Sequence, residues 1–313
     1  MSSDKLSKLS KKSLDEYFDY LSKQQLYYRD SLSLPKFVTF GVEIEYDKFK
    51  KAKVDKFTDK KLASWLSKDE LTLTKGGEIS SPVLTDSLSS WKELREICNY
   101  LRKHRAVIDE KTGGHIHIGT QILGSGIESW RIFFKIYIIY ENELIYFLNG
   151  NSKYSRRLAN EFARPASVFY FNSLDTINEA KGLLEFSNKV FSVSKDKAIS
   201  FCYTSPGNIA CEKYNTIEFR SPNGTINELI WQNNINAITK FLLAARNKNI
   251  DEEFIDYKLE KGLDYFYSLP KALELADIIF DNDLDKMYFL KQYKKDFSFI
   301  EEKKKKTKVM SFK

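Results

Sequence analysis

Apolar residues follow two periods along this chain, and the changes between them mark its elements. FVTFGVEIEYDKF, from residue 37, alternates apolar with other residues as a half-buried strand does. Residues 54–68 (VDKFTDKKLASWLSK) have the spacing of a helix, and 70–84 (ELTLTKGGEISSPVL) predict a strand, a Gly-Gly turn and a second strand stopped near Pro82. An amphipathic helix is expected over 86–104, opening at Asp86 or Ser87, and GGHIHIGTQI reads as a short strand after a glycine pair. A long helix follows over 127–148. SKYSRRLANEFARP predicts a basic helix or loop, DKAISFCY (196–203) and KYNTIEFRSP two further strands, and 226–246 another long helix. Residues 1–34 read as one or two charged helices ending at Pro35, and the last 60 residues as helices with a lysine tail. Short, half-polar strands alternating irregularly with helices predict an α+β fold with an antiparallel sheet, not a doubly wound parallel one.

Composition changes this picture little. With 313 residues, 42% hydrophobic, a buried core is expected, and no linker or internal repeat divides the chain. The net charge of +7 gathers at the ends, in Lys5, Lys8, Lys11 and Lys12 and in Lys303–Lys306 with Lys308. Such ends are solvated tails that attract polyanions without sequence preference, and no nucleic-acid-binding motif accompanies them, so no specific nucleic acid is expected. Cys98, Cys202 and Cys211 form no CxxC pair, which predicts neither a disulfide framework nor structural zinc and fits a reducing compartment. The first residues lack an apolar signal core, so a cytoplasmic location is expected. The most apolar stretch, Trp130 to Leu148, is interrupted by Arg131, Lys135, Glu141 and Glu143 and reads as a core helix, not a membrane span.

The candidate chemistry lies on the strands. GVEIEY carries Glu43 and Glu45, GGEISSP carries Glu78, GGHIHIG carries His115 and His117, and TIEFRSP carries Glu218 and Arg220. Residues two apart on a strand share a face, so these ionisable groups share faces while Ile44, Ile116 and Phe219 between them turn to the core. Any one strand could carry charges on a solvated face; four strands doing so, with two of only three histidines in one HxH, point to a site. Clustered carboxylates with imidazoles repel unless cations join them. Oxygen-rich sets suit Mg²⁺ or Mn²⁺, which enzymes most often use on polyphosphates, and Arg220 fits a phosphoryl group. No P-loop, dinucleotide fingerprint, GxSxG or HExxH is present.

GVEIEY, DELTLTKGGEISSPVL, TGGHIHIG and NTIEFRSPNGT, in that order over about residues 37–245, resemble the amidoligase family, carboxylate–amine ligases of the glutamine synthetase and glutamate–cysteine ligase type. The resemblance implies a curved antiparallel sheet, a half-barrel, with ATP and substrate meeting over its concave face. It implies Glu43, Glu45, Glu78, His115 and Glu218 as metal ligands and His117 as a further contact to metal or phosphate. Arg220 would clamp the transferred γ-phosphoryl, and Glu45 would share in the chemistry. It sets Asp69 before the Gly-Glu strand, although the family's D-x-S-L reads Asp69-Glu70-Leu71 here. It also places Arg156, Arg157 and Arg164 near the substrate, Arg157 as a cofactor contact and Arg164 as a catalytic group. The resulting division is a helical extension over 1–35, a catalytic domain over 36–248 and a helical extension with a basic tail over 249–313.

The implied reaction joins a small-molecule or peptide carboxylate to an amine, using ATP and Mg²⁺ or Mn²⁺ through an acyl phosphate. The alternative is a structural or virion-associated protein on the same scaffold. Its basis is the Lys, Asn, Tyr and Phe usage of a small AT-rich, phage-like genome, for which host cytoplasm or virion would be the location and a virion or other protein the partner.

Overall fold

A computed structural model describes residues 5–70, 72–109, 111–152, 163–191, 196–202, 204, 215–247 and 250–296. Six strands form one sheet: β1 (Phe40–Tyr46), β2 (Leu66–Lys68), β3 (Gly77–Ser80), β4 (Gly114–Gly119), β5 (Ile199–Ser200) and β6 (Thr216–Phe219). The sheet order is β2-β3-β1-β4-β6-β5, every pairing is antiparallel, and the sheet does not close on itself. The helices are α1 (Lys11–Lys23), α2 (Lys51–Lys61), α3 (Leu88–Lys103), α4 (Ile127–Leu148), α5 (Ser167–Phe171), α6 (Leu174–Glu179), α7 (Leu183–Val190), α8 (Glu228–Asn247), α9 (Glu252–Glu260), α10 (Leu269–Ile279) and α11 (Asp283–Tyr293). The α+β class with an antiparallel sheet is therefore what the chain adopts.

Alternation decides which sheet face is buried. Val42, Ile44, Ile79, Ile116, Ile118, Ile217 and Phe219 all point one way and are buried. They join one apolar cluster with Trp91 on α3, Phe133 on α4, and Trp231 and Phe241 on α8. Phe40 stacks on Trp91 with ring centroids 5.1 Å apart. α4 and α8 are buried on nearly all sides, as their apolar sequence requires, and among the described residues no helix is long and apolar enough to cross a membrane.

Two sequence expectations shift. The helix expected over 54–68 ends at Lys61, and its last residues turn into the edge strand β2. Leu62 and Trp65 supply apolar spacing but are buried in the connection. Among the described residues of 70–84 the expected first strand does not occur, and β2 takes its place beside β3, with Leu66 opposite Ser80 and Lys68 opposite Glu78. The glycine pair is not a turn that needs positive φ. A Cβ on Gly76 would come within 1.8 Å of the Tyr46 carbonyl oxygen, so glycine is required where the chain presses against β1 on its way into β3. The strand expected over 196–203 shortens to Ile199–Ser200, and α5, α6 and α7, which periodicity did not predict, occupy 167–190.

The first and last described segments pack into the common core, where Leu6 and Leu21 share one cluster with Ile255, Leu275 and Phe289. Asp277 on α10 accepts from the backbone N–H groups of Leu6 and Ser7. Farther along, Gln232 on α8 exchanges two hydrogen bonds with the Arg29 backbone, and Arg29 pairs with Asp285 on α11 at 2.7 Å. Asn236 donates to that same Asp285, while Asn233 and Gln292 bond at 3.1 Å. Gln232, Asn233 and Asn236 lie on α8 faces that would be apolar in a simple core helix, and they fix how α11 and the segment around Arg29 dock on it.

Candidate functional site

The opposite face of the sheet carries the ionisable row. Register places Glu43 across from His115 and from Ser80, Glu45 across from Glu78, and His117 across from Glu218, so these side chains share one face. Arg220 stands one residue beyond β6, two from Glu218, and stays tied to the sheet through its N–H to the Ala198 carbonyl. The tight backbone approach under the row also depends on glycine. A Cβ on Gly114 would lie 2.6 Å from the Trp231 ring, so the residue before His115 lets α8 pack directly against the sheet.

The side chains are in mutual contact. His115 Nδ1 lies 2.7 Å from Glu43 Oε2 and 3.6 Å from Glu218 Oε1, and its Nε2 lies 3.9 Å from Glu45 Oε1. His117 Nε2 lies 3.5 Å from Glu43 Oε1, and its Nδ1 3.3 Å from Thr216 Oγ1. Glu45 accepts from the Gly113 N–H, and Arg220 donates to Glu218 Oε1. Glu78 accepts from Ser80 Oγ at 3.0 Å. Most of the row is buried; Glu218 is 2% exposed.

Electrostatics in the row are lopsided. Burial pushes the Glu43 carboxyl up, but hydrogen bonds and charge from His115 and His117 outweigh it and hold Glu43 well below the usual carboxylate range. Glu78 goes the other way: burial and then the Glu43 charge raise it, against Lys68, His115 and Ser80. Two carboxylates thus respond oppositely to one shared environment, Glu43 because both imidazoles face it and Glu78 because Glu43 does.

The donor set fits a hard divalent cation. Glu43, Glu78 and His115 form one group whose ligand atoms lie within 4.8 Å of one another, and Glu43, His117 and Glu218 form a second. Glu43 belongs to both. Glu218 Oε2 is buried with no hydrogen-bond partner among the described residues, a costly arrangement unless a cation or ligand uses it. The carboxylate-rich composition favours Mg²⁺ or Mn²⁺, with imidazole admitting the latter.

A family model described as "Putative amidoligase enzyme" matches residues 11–242. The chain belongs to this amidoligase family. No curated protein matches the sequence. Membership places the chain among ligases at that coarse level, and the matched span begins inside α1 and takes in every strand of the sheet.

Not every residue expected at the amidoligase site lies in the row. Arg164 pairs with Asp196 and is more than half exposed; its backbone bridges to Lys197 beside β5, but its guanidinium is engaged away from the carboxylates. The nearby buried Glu141 accepts from the N–H groups of Ala166 and Ser167, which fixes the chain just after Arg164. Asp69 is exposed, just past the end of β2. Arg156 and Arg157 fall outside the described residues. Lys68 was not foreseen. Its Nζ lies 3.3 Å from Glu78 Oε1 and 3.9 Å from Glu43 Oε1. The period of a helix over 54–68 hid it, since only as a strand residue opposite Glu78 does Lys68 share the polar face.

Proposed function

We propose that this amidoligase is an ATP-dependent carboxylate–amine ligase that works through an acyl phosphate on a sheet of the glutamine synthetase type. The observation that carries the reading is the convergence of Glu43, Glu45, Glu78, His115, His117, Glu218 and Arg220 on one face of one open antiparallel sheet. Such an acid-rich row with a single flanking guanidinium has little use as a surface, and it suits a polyphosphate held through cations.

Glu43, Glu45, Glu78, His115 and Glu218 would hold Mg²⁺ or Mn²⁺, with His117 touching metal or phosphate. When bound, such ions neutralise phosphate charge and orient the γ-phosphoryl. The chain's own groups then account for the rest. Arg220, held by Glu218, presents directed N–H donors to the oxygens of the γ-phosphoryl as the carboxylate substrate attacks it and ADP leaves. The amine next displaces phosphate from the acyl phosphate to give the amide. Glu45, which accepts from the Gly113 N–H beside His115, would steady the attacking amine.

The direct test incubates the full-length protein with ATP, Mg²⁺ or Mn²⁺ and mixtures of amino acids, following phosphate release together with mass spectrometry of products. Phosphate release that depends on both a carboxylate and an amine, with a product heavier by their condensation, is expected. Metal-dependent ATP binding without any product from broad mixtures would favour the non-catalytic scaffold reading instead.

A further inference from the structure

The carboxylates of the first donor group already hold a cation supplied by the chain. Lys68 rises from the edge strand β2, directly opposite Glu78 in register, on the polar face of the sheet. Its ammonium bridges two carboxylates from two other strands, at 3.3 Å from Glu78 and 3.9 Å from Glu43. Those carboxylates are largely buried, at 11% and 21% side-chain exposure, whereas the Lys68 side chain is 51% exposed. Glu43 and Glu78, with His115, are also the members of a donor group compact enough for one metal ion.

An ammonium and a divalent ion would compete for the same two carboxylates and repel each other at that distance. Lysine is suited to yielding the place. Its charge sits on a flexible four-carbon stem and makes no fixed fork, unlike the guanidinium of Arg220, which is braced on Glu218. We propose, building on the metal reading above, that Lys68 is the resident counter-cation of the Glu43–Glu78–His115 group. It occupies the position of a divalent ion in the metal-free protein and is exchanged for that ion on loading. The half-exposed stem lets the displaced ammonium swing to the rim of the row, where an anionic ligand would meet it. Lys68 would therefore lower metal affinity in the absence of nucleotide and would stabilise the unloaded row against its own repulsion.

The test is calorimetric titration of Mn²⁺ alone, without nucleotide, into the chelator-treated full-length protein and its Lys68→Met, Lys68→Gln and Lys68→Arg variants. Lys68→Met is expected to bind Mn²⁺ about tenfold or more tightly than wild type, the internal competitor being gone. Its metal-free melting temperature should fall while its Mn²⁺-induced shift grows. Lys68→Gln gives the same tightening if methionine at the exposed edge impairs folding, and Lys68→Arg, which keeps a cation, stays near wild type. Mn²⁺ binding in wild type with equal or weaker binding in Lys68→Met and Lys68→Gln overturns the role of Lys68 while leaving the metal reading intact. No Mn²⁺ binding by wild type or any variant overturns the metal reading itself and the proposal with it.

Discussion

Two buried polar regions of this protein are built to opposite rules. The network of Arg29, Gln232, Asn233, Asn236, Asp285 and Gln292 consists mainly of neutral amides with one close ion pair, and it knits α8 to α11 and to the N-terminal segment. The row on the sheet has four carboxylates, Glu43, Glu45, Glu78 and Glu218, with Lys68, Arg220 and two histidines among them. Both keep buried side-chain atoms without a hydrogen bond among the described residues, Arg29 Nε, Asn233 Oδ1 and Asn236 Oδ1 in the first and Glu218 Oε2 in the second; the difference lies in what is gathered, amides that tie helices together in the first and ionisable groups on one sheet face in the second. The contrast teaches that burial alone does not mark a site. What sets the row apart is buried ionisable groups of both signs gathered within reach of one another, the composition expected of a binding site and not of a core.

The comparison breaks most sharply if the row proves structural. Replacing both Glu43 and Glu218 with alanine should abolish turnover and the ATP-plus-metal rise in melting temperature, while circular dichroism still reports a folded protein. A variant retaining the ATP-dependent shift in the presence of metal, or losing its fold, would move the row into the same class as the amide network.

Next in size is Arg220→Lys. The charge is kept, but the directed pair of donors is lost. We expect ATP affinity within about tenfold of wild type and ligation slower by roughly a hundredfold or more. Steady-state kinetics set beside nucleotide titration separates these; wild-type turnover would make Arg220 an ordinary ion-pair residue.

On the network side, Asp285→Ala strands Arg29 and removes an acceptor from Asn236 and Asn282. A loss of about 3 kcal/mol is expected, read as a lower denaturant midpoint, because one partner of a buried pair is left without the other. Mn²⁺ affinity should not change. A change in Mn²⁺ affinity with stability intact would show the two regions to be coupled.

The smallest expected effect is a pH slope from Glu143 on α4. Burial lifts this carboxyl from 4.5 to about 7, the Ser268 N–H and Lys271 opposing the rise and Asp264 adding to it. Below pH 4.5 the group is protonated folded and unfolded, so it costs nothing. As pH rises towards 7 the unfolded chain gives up the proton first, and stability should fall by roughly 1–3 kcal/mol, then stay level. Glu143→Gln should flatten that slope in chemical denaturation between pH 5 and 7. Lys295, lowered from 10.5 to about 7 by burial, acts in the opposite sense above pH 7 and does not interfere in that window.

Much of this was legible in the sequence because both of its signals are local. Period-two alternation fixed which residues of β1, β4 and β6 turn inward, since strand geometry forces neighbours to opposite faces. That alone put Glu43 with Glu45, His115 with His117, and Glu218 with Arg220. The long helices α4 and α8 were equally plain, as over 20 residues a helical pattern is hard to mistake. What only the tertiary structure decided is pairing between distant segments. β2 is three residues long and carries no period of its own; Trp65 and Leu62 made it look helical until it docked beside β3. Sheet order and register then determined that Lys68 faces Glu78, that Glu43 serves both candidate donor groups, and that Arg164 pairs with Asp196 at the sheet's far edge. A sequence states which face each residue takes on its own strand. Which strands lie side by side is set by the burial of all the faces at once.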